Sequence, residues 1–221
     1  MKLLLQCFMA LLPWPLRWRL LNGVFGHKIA PSARIGLSIV SVDKLTMAPG
    51  ARIGHLTLVK GLSRLEMGRN SAIGNLNWIS GFPLGHPSHF LQQPGRDPSL
   101  RLGDEAAVTN RHFIDCTDRV TIGAYTTFAG FRSQVLSHSI DIFQSRQRAQ
   151  PVTIGQYCFV GTGCILLAGS SLPDRSVLGA GSLLNKAFVQ PNQLYAGSPA
   201  QPVKDLPQEA AYFQRSAGYV D

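Results

Sequence analysis

Large aliphatic residues recur every six positions through much of the sequence, and this spacing restricts the fold more than any other feature. The clearest run occupies the C-terminal third: Ile154, Val160, Leu166, Leu172, Leu178 and Leu184. A small residue follows four positions after each of the first five members: Cys158, Cys164, Ser170, Ser176 and Ser182. An α-helix repeats about every 3.6 residues and a simple strand about every second residue, so neither explains this period. The pattern is typical of short strands that meet at tight corners around a narrow prism.

The same repeat occurs earlier in the chain in shifted registers: Met47, Ile53, Val59 and Leu65, then Leu102, Val108, Ile114 and Val120. Met47 and Met67 are 20 residues apart, as are Leu102 and Ile122, so one coil holds three six-residue repeats plus two residues. Stacked coils pair their backbone groups with the coils above and below, about 4.8 Å away. We therefore expect an all-β parallel β-helix of hexapeptide repeats, with short helical segments at both termini.

Two stretches interrupt the repeat, near residues 81–99 and 139–151. Each begins in the third repeat of its coil, and one intact coil separates them, so both loops are expected to leave the same edge of the prism. Long loops in a tightly periodic domain are often functional, although solvated loops without a role are the alternative. The predicted organisation is an N-terminal apolar and amphipathic segment (1–28), a β-helix domain carrying both loops (29–190) and a closing segment (191–221).

The first 21 residues combine an apolar run with the segment Pro13-Trp14-Pro15-Leu16-Arg17-Trp18-Arg19. The run holds about ten residues, whereas a bilayer span needs roughly 20, and no small-residue cleavage site follows it. Interleaved Trp, Leu and Arg suit a helix that lies in a membrane interface. A helix that packs across the end of an oligomer is the alternative for residues 1–21.

Basic residues outnumber acidic ones, 21 to 12, and the net charge of +9 favours anionic partners. Nucleic acid is not expected among them, because no aromatic platform or recognised motif accompanies the charge. The four cysteines, Cys7, Cys116, Cys158 and Cys164, form no CxxC pair and no metal-like cluster with histidine. We therefore expect neither a metal site nor a secreted disulfide framework, and predict a cytoplasmic protein with a peripheral contact at the inner membrane face.

Two C-terminal motifs carry a resemblance to a known family: the coils from Gly155 to Lys186 and the segment Ala196-Gly197-Ser198-Pro199-Ala200. With the repeat, they resemble the hexapeptide-repeat acyltransferases, of the sugar and polysaccharide O-acetyltransferase type, over about residues 29–206. The resemblance implies a left-handed β-helix, a homotrimer and an active site between subunits. It further implies acetyl transfer from acetyl-CoA to a hydroxyl of a sugar or glycan intermediate, and the Trp-rich first segment favours a lipid-linked glycan as the acceptor. Transfer to an amino sugar, and a non-catalytic binding subunit, are the alternatives.

The resemblance also implies roles for individual residues, with His138 as the general base one residue earlier in its repeat than the family pattern. An alcohol that attacks a thioester needs a neutral imidazole to take its proton. Residues that match coenzyme A contacts are Thr162, Ala180, Asn185, Lys186 and Lys204. Of these, Lys204 matches a basic residue that faces the ribose 3′-phosphate, a role that suits a point charge.

Further candidates surround the predicted base. Asn110 and Asp115 lie near the acceptor-binding Asn and Asp of the family, with different spacing. Asp115 and His112 are further candidates for the catalytic group, and a satisfied corner histidine is the alternative for His112. Asp118 lies 20 residues before His138, one predicted coil, so it is a second candidate for orienting the imidazole, with a solvated turn acid as the alternative. The candidate acceptor contacts on the second loop are Arg146 and Arg148.

Overall fold

The structure is a computed structural model and describes residues 2–220. Seven coils form a three-sided prism, each with three short strands. The first three coils contain β1 (Lys28–Ile29), β2 (Arg34–Ile35), β3 (Ile39–Ser41), β4 (Lys44–Met47), β5 (Arg52–Ile53), β6 (Leu58–Lys60), β7 (Arg64–Met67), β8 (Ala72–Ile73) and β9 (Trp78–Ser80). The fourth and fifth contain β10 (Ser99–Leu102), β11 (Ala107–Val108), β12 (Phe113–Asp115), β13 (Val120–Ile122), β14 (Thr127–Phe128) and β15 (Gln134–Leu136).

A hairpin of β16 (His138–Asp141) and β17 (Arg146–Ala149) follows the fifth coil. The last two coils contain β18 (Val152–Ile154), β19 (Phe159–Val160), β20 (Ile165–Leu167), β21 (Ser171–Leu172), β22 (Val177–Leu178) and β23 (Leu183–Leu184). A second hairpin closes the prism with β24 (Gln193–Gly197) and β25 (Ala200–Asp205). The helices are α1 (Lys2–Ala10), α2 (Trp14–Gly23) and α3 (Ala211–Gln214).

Each wall of the prism is a parallel sheet built from equivalent strands of successive coils. Sheet A takes the first strand of every coil, sheet B the second strand and the closing hairpin, and sheet C the third strand. The large aliphatic residues of the repeat fill the interior, and the small ones occupy the corners; from Ile154 to Leu184 both sets are almost completely buried. This arrangement confirms the predicted parallel β-helix. The interior of the prism is narrow and accommodates one bulky side chain per strand.

The number of residues in a coil varies more than the sequence suggested. Met47 pairs with Met67 in sheet A, 20 residues on, as predicted. Ile154, however, pairs with Leu172, only 18 residues on. The two additional residues are therefore absent from some coils, and this affects which side chains lie above one another at the corners.

Both interruptions of the repeat leave the prism between sheet C and sheet A. Residues 81–98 connect β9 to β10, and the β16–β17 hairpin lies between β15 and β18. Only β12 separates β9 from β15 in sheet C, so the two excursions emerge at the same edge, as expected. They contact each other, because the Gln93 side chain donates to the Ala149 carbonyl (3.1 Å) and accepts from its amide (2.8 Å).

The N-terminal helices cover the open end of the first coil. α1 packs against β3 and α2 against β1, and Met9 and Leu21 join the hydrophobic core. Arg17 is buried beneath them, where its guanidinium donates to the carbonyls of Gly36 (2.9 Å) and Ser38 (2.6 Å). Burial lowers the pKa of Arg17 to about 10. Among residues 2–220, no helix has both the length and the apolar character needed to cross a membrane.

The C-terminal segment that follows β25 does not cover the last coil. It runs back along the edge between sheets A and B, where the Tyr212 hydroxyl donates to the Cys158 carbonyl (2.8 Å) and the Gly218 amide to Glu105 (2.9 Å). The Arg215 guanidinium lies 3.8 Å from the Tyr212 ring centroid. Polar groups of the tail thus find partners along the corner, while the closing hairpin, with buried Tyr195, occupies the end.

Candidate active site

A carboxylate and an imidazole meet where the second excursion leaves the prism. Asp115 ends β12 with only 4% of its surface exposed, and His138 begins β16. The Oδ2 of Asp115 lies 2.6 Å from the Nδ1 of His138. The pairing of β12 with β15 brings them together, because Asp115 stands beside Leu136 in sheet C and His138 follows two residues later.

Asp115 accepts hydrogen bonds at both carboxylate oxygens. Oδ1 accepts from the amide (3.1 Å) and the hydroxyl (2.6 Å) of Thr117. Oδ2 accepts from the amide (3.0 Å) and the hydroxyl (3.1 Å) of Ser137, and from the amide of His138 (3.2 Å). Burial alone raises the pKa of Asp115, but the hydrogen bonds from His138, Thr117 and Ser137 outweigh it and hold the pKa below its usual value. The carboxylate is therefore ionised at neutral pH.

An ionised carboxylate can only accept, so the bond to Asp115 requires a proton on the Nδ1 of His138. This leaves Nε2 as the basic nitrogen, and among residues 2–220 no group forms a hydrogen bond with it. The His138 side chain is 37% exposed and accessible from solvent. Its pKa is raised by the hydrogen bond from Nδ1 to Asp115, against the opposing effects of burial and of the Arg96 charge.

The first excursion covers one side of His138. The ring of Phe90 meets the imidazole edge to face, with 5.9 Å between centroids, and Phe90 itself is buried. Arg96 lies beneath Phe90 with its guanidinium 3.9 Å from the ring centroid. The same guanidinium donates to the carbonyls of Thr117 (2.7 Å) and Phe82 (3.1 Å). Arg96 thus ties the irregular loop to the coil that carries Asp115.

The two excursions line a cleft close to this pair. Phe90, which contacts His138, and Ser139, which follows it, border the cleft, but His138 and Asp115 are not among its lining residues. Its two adjoining cavities have volumes of about 370 and 360 Å³, and both are lined by Gln92, Arg146 and Gln147. Arg148 lines the second cavity and forms an ion pair with Asp141 at 2.9 Å. No carboxylate among the described residues pairs with Arg146, so its guanidinium is available to a ligand. The structure thus brings Arg146 and Arg148 to a cleft that also includes Phe90 and Ser139, two neighbours of His138.

His112 lies elsewhere, and its environment matches the corner interpretation. The residue is 2% exposed, Nε2 lies 2.9 Å from the Thr109 hydroxyl, and Nδ1 accepts from the Ser133 amide at 3.3 Å. Burial lowers the pKa of His112 to about 4, so the ring stays neutral inside the protein. Both nitrogens are engaged, and we therefore no longer assign His112 to the catalytic group.

Asp118 and Asn110 also differ from the expectation. The Oδ1 of Asp118 accepts from the amides of Arg119 (2.8 Å) and Asp97 (3.2 Å), rather than from His138. The reason is the coil length, because sheet C pairs Asp115 with Leu136, 21 residues on, instead of 20. The Oδ1 of Asn110 accepts from the Asn75 amide (2.7 Å) at the opposite edge of sheet C and therefore has a structural partner there.

The residues that match coenzyme A contacts are all exposed: Thr162, Ala180, Asn185, Lys186 and Lys204. Thr162 and Ala180 lie at the edge between sheets B and C, with Ala180 stacked directly above Gly161. The Nζ of Lys186 lies 3.5 Å from Gln201 on β25, the strand that also carries Lys204. The structure thus distributes these residues over the last two coils and the closing hairpin.

The sequence reasoning missed the residues that support the pair. Ser137 and Thr117 were recognisable only as small residues near a corner, and their bonds to Asp115 depend on the exact register of the coils. Phe90 and Arg96 lie in a loop without periodicity, so no pattern placed them near His138. The excess of aromatic and histidine residues between Phe82 and Phe90 was the one available signal.

No family model matches this sequence. The galactoside O-acetyltransferase of Escherichia coli K12 is 34% identical over 56 residues, which are 25% of this chain and 27% of that protein. The curated relatives that the chain matches share only 27% to 41% of their length with it.

Solved structures resemble the chain over a greater length. A hexapeptide-repeat acetyltransferase of Vibrio cholerae in complex with acetyl-CoA gives a TM-score of 0.52, with 19% identity over 64% of this chain and 71% of that one. An N-acyltransferase of Bacillus cereus, bound to coenzyme A and dTDP-4-amino-4,6-dideoxyglucose, gives 0.54, with 13% identity over 85% and 86%. These likenesses confirm the architecture, and this chain is a hexapeptide-repeat protein with the left-handed parallel β-helix fold of the acyltransferases that it resembles.

Proposed function

We propose that this protein transfers an acetyl group from acetyl-CoA to a hydroxyl of a sugar or glycan, with His138 as the general base. The observation that carries the proposal is the 2.6 Å contact between the Oδ2 of Asp115 and the Nδ1 of His138, which leaves Nε2 without a hydrogen-bond partner among the described residues. The short sequence match to an O-acetyltransferase and the acetyl-CoA bound by a protein of the same fold support the choice of reaction.

In this proposal His138 carries the proton from the acceptor hydroxyl to the leaving thiolate. Nε2 of His138 takes the proton of the acceptor hydroxyl as its oxygen attacks the thioester carbonyl. The imidazolium that forms is stabilised by the ionised Asp115, which holds Nδ1 in place throughout. When the tetrahedral intermediate collapses, the carbon–sulfur bond breaks, and the imidazolium returns the proton to the thiolate of coenzyme A.

The donor site lies along the last coils in this proposal. Thr162 and Ala180 line the edge where the pantetheine arm would run, and Asn185 and Lys186 follow β23. Lys204 is exposed on the outermost strand of sheet B, and its ammonium group is suited to the 3′-phosphate of coenzyme A. On the acceptor side, Arg146, Arg148 and the Gln side chains of the cleft supply donors and acceptors for a sugar.

A trimer completes the site in this proposal. The outer face of sheet C carries a column of mostly apolar residues, which Gln134 interrupts between Phe113 and Ile165: Leu58, Trp78, Phe113, Gln134, Ile165 and Leu183. Trp78 is 47% and Phe113 39% exposed, although both are large enough to favour burial. His138 directly follows sheet C, so a second copy packed on this face would bring its surface close to the catalytic pair.

Transfer of labelled acetate from acetyl-CoA to two probes tests the proposal. The probes are a β-galactoside, which offers hydroxyls, and dTDP-4-amino-4,6-dideoxyglucose, which offers an amine. We expect label on the galactoside and its loss in His138→Ala. His55→Ala, which replaces an exposed histidine of the second coil, serves as the matched control and retains activity.

Three results would contradict parts of this assignment. Label on the amine alone identifies an N-acetyltransferase. Full activity in His138→Ala removes the assigned base. Absence of both transfer and acetyl-CoA binding supports a non-catalytic binding subunit. Sedimentation of wild type and Phe113→Asp tests the trimer separately, because a charge on the apolar face should release monomers.

A further inference from the structure

The N-terminal end of the prism has an uneven distribution of charge. No acidic residue precedes Asp43, whereas the same segment contains five basic residues: Lys2, Arg17, Arg19, Lys28 and Arg34. Arg17 is buried and donates to backbone carbonyls through its two terminal nitrogens, but Arg19, Lys28 and Arg34 are exposed. This end of the molecule therefore presents cations without acidic side chains from its own segment.

A cleft of about 230 Å³ lies on this surface, next to α2. It is lined by Trp14, Pro15, Trp18, Arg19, Pro31 and Arg34. The structure holds its walls in place, because the Arg34 guanidinium donates to the carbonyls of Pro31 (2.6 Å) and Ala33 (2.8 Å). On the other side, the Trp18 indole donates to the Ile29 carbonyl at 2.9 Å. Two indole rings and two arginines thus border one preformed depression.

Apolar side chains accompany the cleft on the outer side of α2. Leu16 is 48% exposed, and Val24, which follows the helix, is 71% exposed. The inner side of the helix is occupied by Arg17 and Leu21, so its orientation on the prism is fixed. Exposed Leu, half-buried Trp and exposed Arg on one short helix match the chemistry of a lipid headgroup region.

We propose that α2 and the adjoining corner at residues 31–34 form a docking surface for membranes that contain anionic lipids. Arg19 and Arg34 bind headgroup phosphates at the cleft, because guanidinium groups pair well with phosphate oxygens. The indoles of Trp14 and Trp18 lie at headgroup level, and Leu16 enters the acyl boundary.

The charge argues against a second copy of the chain as the occupant. A symmetric contact through this surface would place its exposed arginines against those of the partner. The apolar column on sheet C is a separate surface, since α2 packs against β1 of sheet A. An anionic lipid surface neutralises the arginines and buries Leu16 at the same time.

Cosedimentation with vesicles tests the proposal. We expect the wild-type protein to bind phosphatidylcholine vesicles that contain phosphatidylglycerol, to bind pure phosphatidylcholine less, and to dissociate at high salt. Arg19→Gln and Arg34→Gln should each weaken binding about five-fold, the usual contribution of one cation near an anionic membrane. Leu16→Ser should weaken it as well. Arg175→Gln is the matched control, because it removes an exposed arginine in the last coil.

Failure of the wild-type protein to sediment with the anionic vesicles would overturn the proposal. Equal weakening by Arg175→Gln would overturn it too, because binding would then follow the net charge of the whole molecule. If Leu16→Ser and Arg19→Gln lower the sedimenting mass of the oligomer but leave vesicle binding unchanged, the surface is a contact between copies instead.

Discussion

Replacement of Asp115 by Asn removes the charge beside His138 and keeps the shape of the side chain. The amide oxygen is expected to take the Oδ2 position, where the amides of Ser137 and His138 and the Nδ1 of His138 donate. The imidazole then keeps its orientation but loses the anion that stabilises its protonated form. The variant therefore separates the effect of Asp115 on the orientation of the His138 imidazole from the effect of its negative charge.

The size of the effect follows from that single contact. A hydrogen bond to a charged group contributes about 1.5–3 kcal/mol, which corresponds to about 10- to 150-fold in rate. His138 is 37% exposed, so solvent screens part of this energy. We expect kcat to fall about 10- to 50-fold in Asp115→Asn, with the KM for acetyl-CoA unchanged.

The dependence of kcat/KM on pH gives an independent measure of the effect of Asp115 on His138. A general base works when it is deprotonated, so kcat/KM should be lost as the pH falls through the pKa of His138. Asp115 raises that pKa, and the acidic limb of the wild-type profile should therefore lie above pH 6.5. In Asp115→Asn the limb should move to lower pH.

Two controls make this prediction refutable. Asp118→Asn changes a nearby carboxylate that accepts from backbone amides and should leave the limb in place. In Asp115→Asn the new side-chain NH2 group faces the Thr117 amide, and the lost hydrogen bond costs about 1–3 kcal/mol of stability. Melting temperatures therefore show the temperatures at which the variant is folded and its kinetics can be compared. An unchanged limb in folded Asp115→Asn, or an equal shift in Asp118→Asn, would refute the reasoning.

Three further predictions concern stability and the cleft. His112 stays neutral with a pKa of about 4, so its contribution to stability is complete above pH 6.5 and is lost as the pH falls toward 4. Urea unfolding measures the free energy of unfolding at pH 7 and pH 5. The wild-type protein should lose about 2 kcal/mol more between these two pH values than His112→Gln does, and equal losses in the two proteins would contradict this. Gln93→Ala removes both hydrogen bonds between the Gln93 side chain and Ala149, which join the excursions. Steady-state kinetics should show a higher KM for the acceptor and an unchanged KM for acetyl-CoA; a change in the KM for acetyl-CoA alone would contradict this. Gly130→Ala should lower the melting temperature more than Gly163→Ala, because both have φ of +67° but only Gly130 faces Thr162 closely; equal losses would contradict the steric argument.

The repeat predicted the fold well because its physical cause is local. One aliphatic side chain per strand fits inside the prism, so the spacing alone located the strands around Ile154 and Leu178. The shared edge of the two excursions followed from counting repeats. The placement of His138 at that edge followed from the resemblance to a family, and its role stays a prediction.

The sequence left Asp115 and Asp118 open as the partner of His138, because the choice depends on the length of a single coil. A period of 20 residues pointed to Asp118, whereas the observed pairing, 21 residues in sheet C, brings Asp115 into contact. Phe90 reaches the imidazole through a loop whose course is set by the contacts of Arg96. The assignment of domain boundaries, of the coenzyme A contacts and of the cellular location likewise stays a prediction.

Calorimetric titration of acetyl-CoA into wild type, Lys204→Ala and His138→Ala tests the central claim most directly, because it asks whether this β-helix binds the acyl donor at all. We expect wild type and His138→Ala to bind acetyl-CoA with the same affinity, since the base contacts the acceptor proton. Lys204→Ala should bind more weakly, and the difference should shrink at high salt. Absence of binding in wild type would contradict the account.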